Sequence, residues 1–260
     1  MSAKVALVTA SSAGLGAATV KALAPYFRVV VNYYSRQEKA DQVIKEASAI
    51  QAATYSAEQE QPRFHAIKAD VSKRSEIERL VNETVSKMGR LDVVVSNAGW
   101  TRLTNFFDLE QQIVEDDWDR CFNVNVKSHL WLLYAAKPHL EKTADTEGVG
   151  GAFVTIASLA GVRPSGSSLP YSVTKAAEIH LTKGLALICG TKVRCNSVSP
   201  GLMMTEWGNQ FPESKVKATV DKAALKSTAT PEDIADQIKT LVLSKSITGQ
   251  NIVMDCGIAI

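Results

Sequence analysis

Val5-Ala-Leu-Val-Thr9-Ala10-Ser-Ser-Ala-Gly14-Leu-Gly16 opens the chain with a short apolar run and a turn of small residues, and a helical stretch follows over residues 17–23. A small-residue turn between a strand and a helix lets the backbone approach a pyrophosphate closely. The helix end then offers free N–H groups and a positive dipole to the anion. Two glycines alone are compatible with a plain tight turn, but strand, turn and helix in this order predict a nucleotide site.

Apolar runs typical of strands recur along the chain, and helical stretches lie between them. The predicted strands are residues 5–9, 29–32, 64–68, 91–96, 152–157, 193–198 and 252–254, and the helical stretches include 17–23, 35–53, 73–88, 176–188 and 231–243. This alternation predicts an α/β fold, a doubly wound parallel sheet with helices on both faces. At 260 residues the chain is expected to form a single domain. Ligands bind such a sheet at the carboxyl ends of its strands.

Tyr171 and Lys175 stand four positions apart in a helical run, and Ser158 stands thirteen positions before Tyr171. Residues four apart share one face of a helix. An ammonium beside a phenol favours the phenolate, so such a tyrosine can exchange a proton at neutral pH. Proton transfer of this kind contributes roughly 10²–10⁴-fold in rate. The spacing by itself is equally compatible with an ordinary pair on a helix face.

The chain resembles the classical short-chain dehydrogenase/reductase family from Lys4 to its C-terminus. The motifs that carry the resemblance stand in the family's order: Thr9-Ala10-x-x-x-Gly14-x-Gly16, Asp70-Val71, Ser96-Asn97-Ala98-Gly99, Asn123-Val-Asn125, Ser158, Tyr171-x-x-x-Lys175 and Pro200-Gly201-x-x-x-Thr205. The resemblance implies a Rossmann-type fold and an oxidoreductase that moves a hydride between a nicotinamide cofactor and a small-molecule carbonyl or alcohol.

The resemblance also implies the roles of four catalytic residues. Ser158 would polarise the substrate carbonyl, and Tyr171 would act as the general acid or base. Lys175 would favour ionisation of Tyr171 and bond the nicotinamide ribose. Asn125 would hold a water of the proton relay, and an asparagine in mid-helix is otherwise an unfavourable choice.

Cofactor contacts follow from the same resemblance. Asp70 would bond the adenine amino group, although it could instead cap the helix that begins near Lys73. Met203 and Thr205 would meet the nicotinamide carboxamide. The full set of implied contacts is Ser11, Ser12, Gly14, Leu15, Gly16, Asn32, Ser35, Arg36, Asp70, Val71, Asn97, Ala98, Gly99, Tyr171, Lys175, Pro200, Gly201, Met203 and Thr205.

The residues after the second strand favour NADP over NAD. NAD enzymes of this type usually place an acid there to bind the ribose 2′-hydroxyl, but this chain has no acid between Asn32 and Glu38. Arg36 offers a fork suited to phosphate, worth about 1.5–3 kcal/mol as a charged hydrogen bond, and Ser35 could assist. The alternative is that Arg36 is only a solvated charge.

Composition excludes several other classes of function. Lys and Arg number 29 against 27 Asp and Glu, a formal net charge of +2, and the basic residues are spread among acids. This balance argues against a nucleic-acid surface. The four cysteines form no C-x-x-C pair and the four histidines have no metal-like spacing. We therefore expect reduced thiols, no metal site, no membrane span and a cytoplasmic protein.

Two positions depart from the family's pattern. Ala10 stands where the family usually has its first glycine, which is tolerable if its φ stays negative, and Cys256 stands where relatives often have glycine. Residues 51–62 are expected to form an extended helix end and a surface loop, and residues 141–151 a second polar surface loop.

The substrate is the least defined part of the prediction. Met203, Met204, Trp207 and Phe211 follow the Pro200-Gly201 turn, and a lid over about residues 202–226 would suit a bulky apolar carbonyl. Helix packing or a subunit contact explains the same side chains, and a homo-oligomer, dimer or tetramer, is expected from the resemblance. Two other functions stay open: a catalytically idle dinucleotide sensor, and an epimerase or dehydratase of the wider superfamily.

Overall fold

The apolar runs pair side by side as a parallel sheet in the computed structural model, which describes residues 3–53, 62–148 and 150–260. Within these residues the strands are β1 (Val5–Val8), β2 (Arg28–Tyr33), β3 (Phe64–Lys68), β4 (Val93–Ser96), β5 (Gly151–Ile156), β6 (Val193–Pro200) and β7 (Asn251–Met254). Their order across the sheet is β3-β2-β1-β4-β5-β6-β7. The direction of winding reverses between β1 and β4, which places the ligand crevice at their carboxyl ends.

Helices cover both faces of the sheet. They are α1 (Gly14–Leu23), α2 (Gln37–Ser48), α3 (Arg74–Met88), α4 (Glu115–Phe122), α5 (Ser128–Glu147), α6 (Leu159–Val162), α7 (Leu169–Cys189), α8 (Glu213–Lys222) and α9 (Pro231–Leu243). Side chains of α1, α2 and α9 pack on one face, and those of α3, α5 and α7 on the other. Successive residues of β1 alternate between the two cores: Ala6 and Val8 join the first, Val5 and Leu7 the second.

The predicted fold class is confirmed, and each predicted strand is present with its ends shifted by at most two residues. The prediction for residues 141–151 is wrong, because α5 continues to Glu147 and ends at Gly148 with a φ of +68°. The last turns of α5 are mostly solvent-exposed and therefore polar, which the sequence pattern cannot distinguish from a loop. In the other polar stretch, residues 54–61 lie outside the described residues.

A five-residue π-helix, Asn123–Lys127, joins α4 to α5. Short π-helical segments inside longer helices are frequent at functional sites, because one turn lacks the usual i→i−4 pairing. Asn125, in the middle of this segment, is fully buried. The unusual turn therefore directs a polar side chain into the interior.

The cysteines are free thiols, and Cys121, Cys189 and Cys195 are buried. Burial raises the pKa of Cys121 to about 11 and that of Cys195 to about 12. In the described part of the chain, no cluster of three or more His, Cys, Asp or Glu side chains is placed to hold a metal ion. No helix among the described residues is long and apolar enough to cross a membrane.

Candidate active site

Tyr171 and Lys175 meet on the inner face of α7. Ser168 begins this helix, and its hydroxyl accepts a hydrogen bond of 3.4 Å from the backbone N–H of Tyr171. Lys175 Nζ lies 5.7 Å from the centroid of the Tyr171 ring. Tyr171 is half-buried and Lys175 is only 3% exposed. The helical spacing thus places a phenol and a sheltered ammonium together.

Ser158 stands directly before the short helix α6. Its Oγ accepts a hydrogen bond of 3.1 Å from the backbone N–H of Ala160, so its own proton can be donated elsewhere. Helix α6 packs tightly on α7: Ser172 Oγ donates to the carbonyl of Ala160 at 2.6 Å. A Cβ on Gly161 would lie 2.5 Å from the backbone of Lys175. This contact fixes α6, and with it Ser158, against the helix that carries Tyr171.

Asn125 ties the segment after β4 to α7. Its Oδ1 accepts from the backbone N–H of Trp100 at 2.7 Å, and its Nδ2 donates to the Trp100 carbonyl at 2.9 Å and to Thr174 Oγ1 at 3.0 Å. A Cβ on Gly99 would lie 3.5 Å from Lys175 Nζ and 3.6 Å from Asn125 Oδ1. The Asn97-Ala98-Gly99 stretch therefore reaches the catalytic candidates.

Lys175 has a partner that the sequence analysis missed. Its Nζ donates to the Ile156 carbonyl at 2.6 Å and to Glu178 Oε2 at 2.7 Å. Complete burial raises the pKa of Glu178 to about 7, although Lys175 acts in the opposite direction. Burial alone would lower the pKa of Lys175, but the charges of Glu178 and Tyr171 hold it above its usual value. The signal in the sequence was an acid three positions after Lys175, on the same helix face.

The turn between β1 and α1 fits an anion. Gly14 has a φ of +53°, and a Cβ on Gly16 would lie 2.6 Å from both the Ala10 carbonyl oxygen and Ser11 Cα. Within the described residues, the N-terminus of α1 has no side-chain cap and no acid in its first turn. Its N–H groups and positive dipole are thus available to a pyrophosphate, as the predicted nucleotide site requires.

Ala10 departs from the expectation made for it, because its φ is +49° and not negative. A residue with a Cβ pays about 1–2 kcal/mol in this left-handed region. Asn32 Oδ1 accepts from the Ala10 N–H at 3.0 Å, and Asn97 Nδ2 donates to its carbonyl at 3.1 Å. These bonds hold the strained residue in place. Cys256, the other position where the family often has glycine, also has a positive φ, +60°.

Ala10→Gly is therefore expected to raise the free energy of unfolding by about 0.5–1 kcal/mol, since relief of strain exceeds the entropy that glycine adds to the unfolded chain. Ala22→Gly, in the last turn of α1, is the matched control and should lower it, by up to about 0.5–1 kcal/mol. Urea denaturation of the three proteins measures both changes. Equal destabilisation by the two substitutions would contradict strain at Ala10.

Several predicted cofactor residues also brace the strand ends. Ser11 Oγ is buried and donates to the Val8 carbonyl at 2.7 Å. Asn32 Nδ2 donates to the carbonyls of Ile67 and Ala69 at 3.2 Å each. Thr9, which belongs to the glycine motif but not to the implied cofactor contacts, accepts from the Asn97 N–H at 2.9 Å. Beside the turn, Ser12 is half-buried and Leu15 is buried.

Asp70 and Val71 lie at the turn from β3 to α3. One carboxylate oxygen of Asp70 accepts from the backbone N–H of Ser72 at 3.0 Å and from its hydroxyl at 2.7 Å. The backbone N–H of Asp70 donates to Glu76 Oε2 at 2.8 Å. Asp70 thus holds the turn before α3 but does not cap the helix, because the N-cap position is Lys73 and no described side chain bonds to the N–H groups there. Val71 is half-buried beside it.

The segment after β6 folds back over the glycine turn. Gly201 continues the sheet, its N–H donating to the Met254 carbonyl at 2.9 Å, and Met203 pairs with Ala229. The Thr205 methyl carbon lies 3.6 Å from a Cβ built on Gly14. Thr205 therefore faces the proposed pyrophosphate site directly.

Two cations meet one carboxylate at the end of β2. Arg36 Nη1 lies 2.9 Å from Glu206 Oε2, and Lys39 Nζ contacts the other oxygen of the same side chain. Lys39 and Arg36 together lower the pKa of Glu206 to about 2. Ser35 is exposed beside them. Lys39 is a second cation that the sequence analysis missed; it stands three positions after Arg36, in the first turn of α2.

Comparison with known proteins shows the family of this chain. The family profile "short chain dehydrogenase" matches residues 4–215. A Streptomyces violaceoruber protein, "Granaticin polyketide synthase putative ketoacyl reductase 2", is 36% identical over 258 residues, which cover 98% of this chain and 96% of that protein. The chain belongs to the short-chain dehydrogenase/reductase family, whose members are NAD(P)H-dependent oxidoreductases.

Solved structures share the fold. A short-chain dehydrogenase from Burkholderia cenocepacia J2315 in complex with NADP is 28% identical, with a TM-score of 0.84 over 99% of this chain and 98% of that one. The 3-ketoacyl-(acyl-carrier-protein) reductase from Brucella melitensis complexed with NADH has a TM-score of 0.84 over the same shares of the chains. At 24% identity, this second likeness shows the fold alone.

Proposed function

We propose that this enzyme is an NADP-dependent carbonyl reductase, acting in either direction, with Tyr171 as the general acid or base. The observation that carries the proposal is the sheltered Lys175 ammonium 5.7 Å from the Tyr171 ring centroid. Tyr171 and Lys175 stand on one face of α7, which places the ammonium beside the phenol that is to transfer the proton. Tyr171 can then deliver a proton to the carbonyl oxygen during reduction, or remove it during oxidation.

The other catalytic candidates support this proton transfer. Ser158 polarises the carbonyl by donating a hydrogen bond to its oxygen, where negative charge develops. Its lone pair is already engaged by the Ala160 N–H, which orients the hydroxyl. Asn125 holds the relay water and fixes the segment that ends at Trp100.

The cofactor residues named from the sequence are part of the proposal. The bound nicotinamide dinucleotide supplies or accepts the hydride. The turn at Gly14 and Gly16 and the N-terminus of α1 bind its pyrophosphate, and Thr205 lies across the same turn. Pro200, Gly201 and Met203 line the nicotinamide end. The relative solved with NADP supports this class of cofactor, although another fold neighbour was solved with NADH.

The preference for NADP rests on Arg36 and Lys39. Both engage the exposed carboxylate of Glu206 and would transfer to a 2′-phosphate. Arg36→Ala is expected to raise the KM for NADPH about 10- to 100-fold, the equivalent of one charged hydrogen bond, with the KM for NADH little changed. Glu206→Gln frees both cations and should lower the KM for NADPH.

Initial rates with each cofactor measure these changes. Arg74→Ala is the matched control, because Arg74 is also an exposed arginine paired with one glutamate, Glu78, but on α3. If Arg36→Ala weakens NADH and NADPH equally, Arg36 does not select the 2′-phosphate.

The proposed substrate is a bulky, apolar carbonyl compound under a lid of about residues 202–226. Trp207 and Phe211 pack edge to face with 5.0 Å between ring centroids, and Lys215 Nζ donates to the Gly166 carbonyl at 2.8 Å. Gly166 adjoins the Tyr171 ring, which connects this segment to the catalytic residues. The name of the Streptomyces relative adds ketoacyl thioesters to the candidates.

We further propose a cytoplasmic homo-oligomer, dimer or tetramer. Large apolar side chains lie exposed on α5 and α7, among them Tyr134, Leu187 and Ile188. Exposed apolar patches of this kind favour contacts between subunits. The free, mostly buried thiols suit a reducing compartment.

The test is to mix the purified enzyme with NADPH or NADH and a panel of ketones, aldehydes, quinones and 3-ketoacyl thioesters, and to follow cofactor absorbance. Carbonyl-dependent loss of NADPH supports the proposal. Binding of NADPH with no turnover would favour the idle sensor instead. Cofactor that stays with the protein through purification would favour an epimerase or dehydratase.

A further inference from the structure

Behind Lys175 a row of polar side chains runs through the core between α7, α5 and β4. Lys175 Nζ donates to Glu178 Oε2 at 2.7 Å. The other carboxylate oxygen, Oε1, lies 3.4 Å from Nε2 of His129, and His129 Nδ1 lies 2.6 Å from Ser96 Oγ. Each of the four residues is at most 3% exposed. A carboxylate and an imidazole at this depth are costly to bury without partners.

Two atoms in this row face each other without other partners. In the described part of the chain, Glu178 Oε1 and His129 Nε2 are both buried and neither makes a hydrogen bond. One proton between them would satisfy both after a shift of a few tenths of an ångström. The pair is therefore built to share a proton.

The state of Glu178 fixes the tautomer of His129. Burial and the Lys175 charge hold the pKa of His129 well below its usual value, so the imidazole is neutral. When Glu178 is ionised, His129 carries its proton on Nε2 and Ser96 donates to Nδ1. When Glu178 is protonated, it donates to Nε2, and Nδ1 donates to Ser96. Every polar atom of the row is satisfied in either state.

We propose that Glu178 is a positioning residue for catalysis: oriented by His129 and Ser96, it holds Lys175 and supplies the counter-charge that sets the pH at which the Tyr171–Lys175 pair loses its proton. The inference rests on the proposed function, in which this pair performs the proton transfer. It gives the lysine a charged partner besides Tyr171.

The direction in which Glu178 shifts this pH follows from its negative charge alone. Removing a nearby negative charge lets a coupled pair lose a proton at lower pH, whichever member releases it. The titratable groups around Glu178 are Lys175 and Tyr171 on its own helix, His129 from α5 and Cys121 from α4. The Cys121 thiol stays neutral because burial raises its pKa to about 11, and Thr155 from β5 does not titrate.

Glu178→Gln tests the inference, because glutamine keeps the shape of the side chain and can still accept from Lys175. Two readouts are needed. The first is the pH dependence of kcat/KM for carbonyl reduction. The second, made without substrate or cofactor, is tyrosinate absorbance as a function of pH, with the matching Tyr171→Phe protein subtracted to isolate Tyr171.

Both the alkaline limb of the rate profile and the Tyr171 tyrosinate midpoint are expected to move to lower pH by about one unit in Glu178→Gln. Glu46→Gln is the matched control: it removes an acid that pairs with a lysine at the surface, 3.2 Å from Lys21 Nζ, and should move neither. His129→Leu leaves Glu178 Oε1 without its partner and makes the carboxylate harder to ionise. His129→Leu should therefore also move both midpoints to lower pH, by less than Glu178→Gln does.

Unmoved or raised midpoints in Glu178→Gln overturn the inference even if the enzyme is active. If Glu178→Gln does not fold, His129→Leu decides by the same criterion. If the wild type reduces no carbonyl in the panel, the proposed function fails, whereas the tyrosinate titration still decides the role of Glu178.

Discussion

Tyr171→Phe is expected to lower carbonyl-dependent oxidation of NADPH by about 10²–10⁴-fold, because it removes the proton donor and leaves the ring in place. The ring stays packed against Gly166, and Lys175 keeps its bonds to Ile156 and Glu178. Binding of NADPH, measured by fluorescence titration, should change little. A loss confined to the rate identifies Tyr171 as the group that transfers the proton.

Tyr134→Phe is the matched control for this experiment. Tyr134 lies on α5 and is 66% exposed, so losing its hydroxyl should leave the rate unchanged. A Tyr171→Phe enzyme with nearly the wild-type rate would remove Tyr171 from the mechanism. A loss of NADPH binding instead would make the hydroxyl a binding group.

Gly16→Ala should have the second large effect, on both stability and cofactor binding. The new Cβ would lie 2.6 Å from two backbone atoms of the turn, Ala10 O and Ser11 Cα, so the turn must move away from α1. Overpacking of this kind costs about 1–3 kcal/mol in the free energy of unfolding. Because the same turn carries the proposed pyrophosphate site, we expect NADPH to bind at least about tenfold more weakly, the equivalent of 1.4 kcal/mol.

Gly184→Ala separates this effect from the general one of replacing glycine by alanine. Gly184 lies in α7, and a Cβ there meets no described atom within 4 Å. Gly184→Ala should therefore stabilise the protein by up to about 1 kcal/mol and leave NADPH binding unchanged. Denaturation curves and fluorescence titration give both quantities. Unaltered NADPH binding in Gly16→Ala would place the dinucleotide elsewhere.

The strands could be predicted because parallel strands buried on both faces are nearly continuous apolar runs, as in Val5–Val8 and Val93–Ser96. The end of α5 could not be predicted, because a helical segment that leaves the core is as polar as a loop. The spacing of Tyr171 and Lys175 predicted that they share a helix face, since both belong to one element.

Contacts between segments that are far apart in the chain could not be predicted from the sequence. His129 and Glu178 are 49 positions apart, and only the close approach of the first turn of α5 to α7 makes one the partner of the other. The positive φ of Ala10 is held by its bonds with Asn32 and Asn97, and alanine itself does not favour it. The available hint was the glycine that the family usually has at this position.

The bridge from Glu206 to Arg36 and Lys39 bears on how the enzyme should be assayed. Inorganic phosphate and sulfate have the shape and charge that an arginine fork and a lysine recognise, so either anion would compete with a 2′-phosphate for these two exposed side chains. Added salt would also weaken the bridge itself by screening. Kinetic comparison of NADPH with NADH therefore belongs in a dilute amine or sulfonate buffer, where the choice between the two coenzymes is not masked by the solvent.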